Sequence, residues 1–397
     1  MQIGRPAAPN EIIDRDAEVE SILKKLQSRT SYNIAMIGHR RIGKSSILQK
    51  VADILSAEKK TVVVYFDLQR RLGDPRTFLA SLQGAIFDAY AKKIGRFAKA
   101  KIKASNITAA IAEVLSSKKI KGIGLEMKPG SSPEDFTIIP KIEFEDSDVA
   151  YAKMFEAVFR TVNAIAENNR VVVILDEFQD ILHLKGYKGL RNILDLFRGV
   201  IQERHKNVSY VICGSHVHLL RSILSDGKSP LFQHFVEIPV GEMDEKNSIL
   251  LFNEYLAGRN LKPNNTAAKE AFDLVGGQPY YLMALAEVWE PKSRMYDILV
   301  SLLESSVGSL RLYSEYVLAE DVATAQGGPM LRTILGVLAK SDAGIGYTEI
   351  AKALKARPPE LVPYVNELIR MDLVVKTDSG YAVRDRIIRQ YLKLNSS

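Results

Sequence analysis

The chain has 397 residues, 46% hydrophobic and 25% charged, ordinary globular proportions that exclude a mostly disordered or collagen-like polypeptide. Its 54 Lys and Arg against 47 Asp and Glu leave a net +7, which permits an anionic partner such as nucleic acid without requiring one. The single cysteine, Cys213, excludes an internal disulfide framework, and no apolar run reaches the ~18 residues of a membrane span. With no apolar leader in Met1–Ile13, these features lead us to expect a soluble, cytoplasmic protein without a membrane partner.

The first strand expected is Tyr32–Ile37, followed by a helix over Lys44–Leu55. A β-branched strand, Thr61–Leu68, and a helix over Pro75–Ile94 come next. Residues 95–148 read as an insertion. Within it, Ile120–Lys128 and Phe136–Phe144 alternate like the arms of a hairpin around Pro129-Gly130-Ser131-Ser132-Pro133. A helix over Val149–Ala166, a strand Val171–Leu175, a helix Lys188–Glu203 and a strand Val208–Cys213 resume the alternation. Strands alternating with helices imply an α/β fold with a parallel sheet, placed here in residues 1–241.

Residues 242–326 read as a helical lid. Gly327-Gly328-Pro329 punctuates the chain before residues 327–397. There, helices Met330–Ala339, Tyr347–Leu354 and Pro359–Arg370 precede two short strands, Leu373–Lys376 and Tyr381–Arg384, the order of a winged helix. The surplus charge is local. Residues 92–128 hold ten basic side chains against two acidic ones, and residues 328–397 hold eleven against seven.

The first strand runs into Gly38-His39-Arg40-Arg41-Ile42-Gly43-Lys44-Ser45-Ser46, a G-x-x-x-x-G-K-S loop opening a helix. Its glycines let backbone N–H groups face a polyphosphate at a helix N-terminus. Lys44 is expected to reach the β- and γ-phosphates, and Ser45 to ligate Mg²⁺. The strand Val171–Leu175 ends in Asp176 and Glu177. Asp176 is expected to hold the magnesium through its water shell, and Glu177 to polarise a water in line with the γ-phosphate. A glutamate directly after the aspartate favours a machine or switch that hydrolyses ATP. Ser215, at the end of the next strand, is a candidate γ-phosphate sensor or an ordinary helix cap.

The phosphate loop, the Leu175–Asp180 run LDEFQD, the Ile212–His216 run ICGSH and Gly276-Gly277-Gln278-Pro279 together resemble the archaeal-type ATPases of the STAND clade within the AAA+ group. Origin-recognition initiators and apoptosome-type switches are relatives. Ile13-Asp14-Arg15-Asp16-Ala17-Glu18 is similar to that family's N-terminal signature, with Asp14 where glycine is usual. The resemblance implies a P-loop NTPase core with helical lid and winged helix, ATP or ADP as ligand, Arg15 near the adenine and Pro279 against the base. It also implies that Arg384 stands where related switches carry a histidine that touches ADP.

Gln233-His234 departs from the Gly-Arg pair that relatives often carry after the fourth strand. This departure puts an arginine finger there in doubt, with Arg221 a weak substitute. Without one in cis, turnover is expected to be slow unless self-association or a protein partner supplies it. Two outputs follow. Double-stranded DNA would be held through the winged helix and the basic insertion, with Lys99, Lys101 and Lys103 as contacts. Alternatively, the winged helix packs on the core and gates nucleotide exchange, with a protein partner as output.

Overall fold

The computed structural model describes residues 7–8, 11–28, 30–69, 74–97, 123–129, 136–142, 148–323, 325 and 327–395. Lys99, Lys101 and Lys103 lie outside them. The chain opens with helix α1 (Asp16–Leu26), strand β1 (Ile34–Ile37), α2 (Lys44–Ala57), β2 (Thr61–Asp67) and α3 (Pro75–Phe97). The expected hairpin is present as β3 (Ile123–Pro129) and β4 (Phe136–Ile142), paired antiparallel. Helix α4 (Asp148–Ile165), β5 (Arg170–Asp176), a 3₁₀ segment (Phe178–Gly186), α5 (Ile193–Gln202), β6 (Val208–Gly214), α6 (Val217–Ser225) and β7 (Val236–Pro239) complete the α/β part.

Five strands form one sheet in the order β2-β5-β6-β1-β7, and every neighbouring pair is parallel. Strands β1 and β6 are buried along their whole length, as continuous apolar runs covered on both faces must be. Ile34 and Met36 pack towards α1 and α2, whereas Ala35 and Ile37 pack with α3, α4 and α5. The alternation divides the core into two apolar layers, one on each face of the sheet. Register aligns Ile37 with Gly214 and with Pro239, and Asp67 with Asp176. The carboxyl ends of these strands therefore share one edge, where open α/β sheets bind ligands.

Four of the five strands lie where the pattern placed them. The fifth, β7, was not expected. It has four residues, sits at the sheet edge, buries only Ile238 and ends in Pro239, which has no N–H to donate. So short an edge strand carries almost no periodic signal.

Beyond β7, five helices follow: α7 (Glu245–Gly258), α8 (Asn265–Val275), α9 (Pro279–Val288), α10 (Met295–Glu304) and α11 (Ser309–Val317). Asp244 caps α7 by accepting from Asn247 N, and Asn264 caps α8 by accepting from Ala267 N. The C-terminal unit comprises α12 (Gly328–Ala339), α13 (Tyr347–Leu354), α14 (Pro358–Arg370), the antiparallel pair β8 (Val374–Thr377) and β9 (Gly380–Val383), and a closing helix α15 (Arg386–Asn395). The Gly327-Gly328-Pro329 run proves to be a helix start, with Gly327 at φ 79° and the proline in the first turn.

A single apolar cluster runs from Phe252 and Leu285 through Leu299 and Leu335 to Leu368 and Ile387. Asp385 pins it from within. Its carboxylate accepts from Ile387 N and Ile388 N at the start of α15 and from the Tyr281 hydroxyl of α9. Burial raises the Asp385 carboxyl above the usual carboxylate range, although these donors favour its charged form.

Candidate functional site

Gly38 to Gly43 bridge β1 and α2, with Gly43 at φ 103°, a left-handed conformation that a side chain would strain. Lys44 opens α2 and is 5% exposed. Its Nζ donates to the carbonyls of Gly38 at 2.6 Å and His39 at 2.7 Å, curling the loop around its own ammonium. Burial lowers the Lys44 pKa, and the nearby Glu177 and Asp176 charges offset part of that shift. Ser46 Oγ accepts from Ala7 N at 3.0 Å and ties the N-terminal segment to the loop.

Ser45 and Asp176 are brought together: Ser45 Oγ donates to Asp176 Oδ2 at 2.8 Å. Tyr65 on β2 donates to the same oxygen at 2.6 Å, a contact that sequence reasoning missed. Nothing in the run TVVVYFD distinguished Tyr65 from a core strand residue. Burial and the Asp176 charge both raise the Tyr65 pKa, so the hydroxyl stays a donor. Tyr65→Phe is expected to cost about 1.5 kcal/mol, the low end for a hydrogen bond to a charged group. Urea unfolding without nucleotide measures it, and an unchanged midpoint would refute the contact.

Glu177 leaves β5 at φ 50°. Its Oε2 accepts from Ser215 N at 2.9 Å, Ser215 Oγ at 2.8 Å and Gln179 Nε2 at 2.9 Å. Ser215 thus faces Glu177. Cys213 lies buried beside this cluster, and desolvation holds its thiol well above the usual range, hence neutral.

A cleft of about 250 Å³ is lined by Arg15, Arg40, Arg41, Ile42, Gly43, Lys44, Ser45, Ser46, Glu177, Ser215 and Pro279. Most of the expected residues therefore converge on one cavity. The lid closes it: Gln278 Nε2 donates to Arg40 O at 3.1 Å, just before Pro279 starts α9. The two loop arginines reach lid tyrosines, Arg41 over Tyr280 at 3.9 Å from ring centroid and Arg40 over Tyr316 at 4.3 Å. The Arg15 guanidinium is engaged, donating to Glu18 Oε1 at 3.0 Å, Ile42 O at 3.2 Å and Gly241 O at 2.8 Å. It braces α1, the phosphate loop and the chain entering the lid, on the wall of the cleft.

Arg384 lies apart from this wall. Its Nη2 is 3.0 Å from Asp372 Oδ1, and Asp372 Oδ2 is 3.1 Å from His39 Nε2 in the phosphate loop. The C-terminal unit thus reaches the loop through a carboxylate held between an arginine and a histidine. Arg221 is exposed on α6.

Sheet order, phosphate loop and the paired acids at the end of β5 define an AAA+-like P-loop ATPase. Residues 12–285 match the model of the ATPase domain predominantly from Archaea, and the chain belongs to that family. Among solved structures, it is similar to a Walker-type ATPase of Pyrococcus abyssi, with 20% identity, TM-score 0.63 and coverage of 98% of this chain and 99% of that one.

It also matches a signal transduction ATPase with numerous domains and a tetratricopeptide repeat sensor, from Pyrococcus horikoshii. Identity is 14% and the TM-score 0.39, covering 100% of this chain and 44% of that one. The ORC1 protein of Aeropyrum pernix, solved in complex with DNA, matches at 14% identity and TM-score 0.41, covering 97% of this chain and 93% of that one. No curated protein sequence matches the chain. Among the described residues no helix is long and apolar enough to cross a membrane.

Proposed function

We propose that the chain is an ATP/ADP-controlled switch that hydrolyses ATP slowly and signals through its C-terminal unit. The observation that carries this reading is the His39–Asp372–Arg384 contact, which joins the phosphate loop to the start and end of the β8–β9 hairpin. A phosphate that draws Lys44 Nζ off the His39 carbonyl disturbs the residue that holds Asp372, so loop occupancy and hairpin position are linked.

At the site, Lys44 binds the β- and γ-phosphates. Ser45 Oγ and Asp176 Oδ2, hard oxygen donors 2.8 Å apart, are of the kind that holds Mg²⁺, Asp176 through water. When bound, Mg²⁺ neutralises charge on the phosphate oxygens. Glu177 takes the proton of a water that attacks the γ-phosphorus, while the bond to the departing ADP oxygen breaks. Ser215 moves from Glu177 to the γ-phosphate. Arg15 and Pro279 wall the base end. An arginine finger from a second copy or a protein partner accelerates turnover.

Double-stranded DNA is the competing output, and four of the arginines of the C-terminal unit are engaged by carboxylates of the chain itself. Arg370 pairs with Glu367, Arg357 with Glu360, Arg384 with Asp372 and Arg389 with Asp342. Glu367 of α14 and Met371 just after it also line a second cleft of about 430 Å³ facing the phosphate loop and α6.

Phosphate release by the purified chain, with and without Mg²⁺ and with duplex DNA at two salt concentrations, tests the reading. Slow Mg²⁺-dependent release, unchanged by DNA, is expected. Tight, steeply salt-dependent duplex binding would favour the DNA output instead. Asp372→Ala is expected to speed ADP release several-fold by freeing the loop from the hairpin, as measured by displacement of a fluorescent ADP analogue. An unchanged off-rate would sink the gating role.

A further inference from the structure

The 3₁₀ segment after Glu177 buries one polar side chain that takes no part in the chemistry proposed for the site. Gln179 is 2% exposed. Its Nε2 donates to Glu177 Oε2 at 2.9 Å and Asp180 Oδ1 at 3.3 Å, two acceptors for its two hydrogens, and lies 3.2 Å from His216 Nδ1. Its Oε1 is buried without a hydrogen-bond partner. A buried orphan acceptor is costly, so something must hold the amide in this orientation. Turning it over would set Oε1 against the Glu177 carboxylate, acceptor facing acceptor.

The chain makes room for the amide at a specific point. A Cβ on Gly214 would lie 2.2 Å from Gln179 Oε1, so a side chain at the end of β6 would displace the amide from this position. The same oxygen of Glu177 takes two donors from Ser215, a backbone N–H and the hydroxyl, and the hydroxyl is lost once the side chain turns towards a phosphate. The Gln179 contact comes from the buried segment behind the carboxylate and does not depend on that movement.

We propose that Gln179 is the positioning residue of Glu177: its amide N–H holds the carboxylate at the mouth of β5 in the orientation that activates water. The proposal rests on Glu177 being the base. It acts through Glu177 alone, and Gln179 is not among the residues that line the cleft.

Gln179→Met tests it, because methionine keeps the volume, removes the donors and also removes the orphan oxygen. The expected result is a kcat roughly tenfold to a hundredfold lower, as for a misplaced catalytic group. Affinity for a fluorescent ATP analogue should be unchanged and the melting temperature unchanged or higher. A wild-type kcat overturns the proposal. So does a fall in kcat accompanied by weaker nucleotide binding and a lower melting temperature, the mark of a merely structural residue.

Glu177→Gln, measured alongside, separates the two levels. If that variant hydrolyses ATP at the wild-type rate, the base assignment fails and the proposal with it. If it is inactive while Gln179→Met turns over normally, only the positioning role fails.

Discussion

Glu177→Gln binds ATP as the wild type does and hydrolyses it about 10²- to 10⁴-fold more slowly, the range for loss of a general base. The amide has the shape of the carboxylate, so Ser215 can still donate to the oxygen at this position, and the turn at φ 50° is kept. What disappears is the capacity to take a proton. Lys44, Ser45 and Asp176 are untouched, so the phosphate grip survives. Equilibrium binding of a fluorescent ATP analogue and single-turnover phosphate release separate the two effects. Hydrolysis at an unchanged rate would remove Glu177 from the chemistry.

Lys44→Ala has the opposite signature, a loss of affinity. A charge-assisted hydrogen bond contributes about 1.5–3 kcal/mol, so losing one or two contacts to phosphate lowers affinity by roughly 10- to 10⁴-fold. A second loss comes from the loop. In the wild type the ammonium is held by the carbonyls of Gly38 and His39, and alanine leaves both without that donor. The loop therefore loses its curled shape as well as its charge. Calorimetric titration with ATP measures the affinity, and the melting temperature without ATP reports the loop. A wild-type ATP titration would refute the assignment.

The phosphate loop was legible because its chemistry is contiguous. Glycine, lysine and serine stand within nine residues, and a strand and a helix flank them as required. Asp176 and Glu177 were legible for a similar reason, since two acids directly after an unbroken apolar run mark where a buried strand emerges at the ligand edge of the sheet. Ser45 and Asp176 do meet at 2.8 Å. What stayed hidden depends on which strands become neighbours. Tyr65 is 111 residues from Asp176 in sequence and reaches it only because β2 and β5 pair in register. Ser215 was placed at the correct strand end, yet its contact with Glu177 follows from β5 lying beside β6.

Arg384 and Arg15 show the other limit. Both were singled out by resemblance, and both are cations whose partners are fixed by the tertiary structure. Arg384 is drawn to Asp372, and Arg15 to two backbone carbonyls and Glu18. Helix α15 was not among the expected elements, which ended at the second short strand. Its buried face, Ile387, Ile388, Tyr391 and Leu392, repeats at helical spacing.

The unbroken apolar cluster from α7 to α15 has a mechanical consequence. Elements that share one packed interior cannot shear against each other without opening voids, so they travel as a single beam. Its attachments to the α/β part gather at the phosphate loop and the N-terminal segment: Gln278 on Arg40, Tyr280 and Tyr316 under Arg41 and Arg40, Asp372 on His39, Ile13 against the cluster, and the covalent joint near Gly241, where Arg15 grips the backbone. A beam pivoting at one end amplifies. A sub-ångström adjustment of the phosphate loop at the fulcrum becomes a larger sweep at the far helices, at little cost in internal energy.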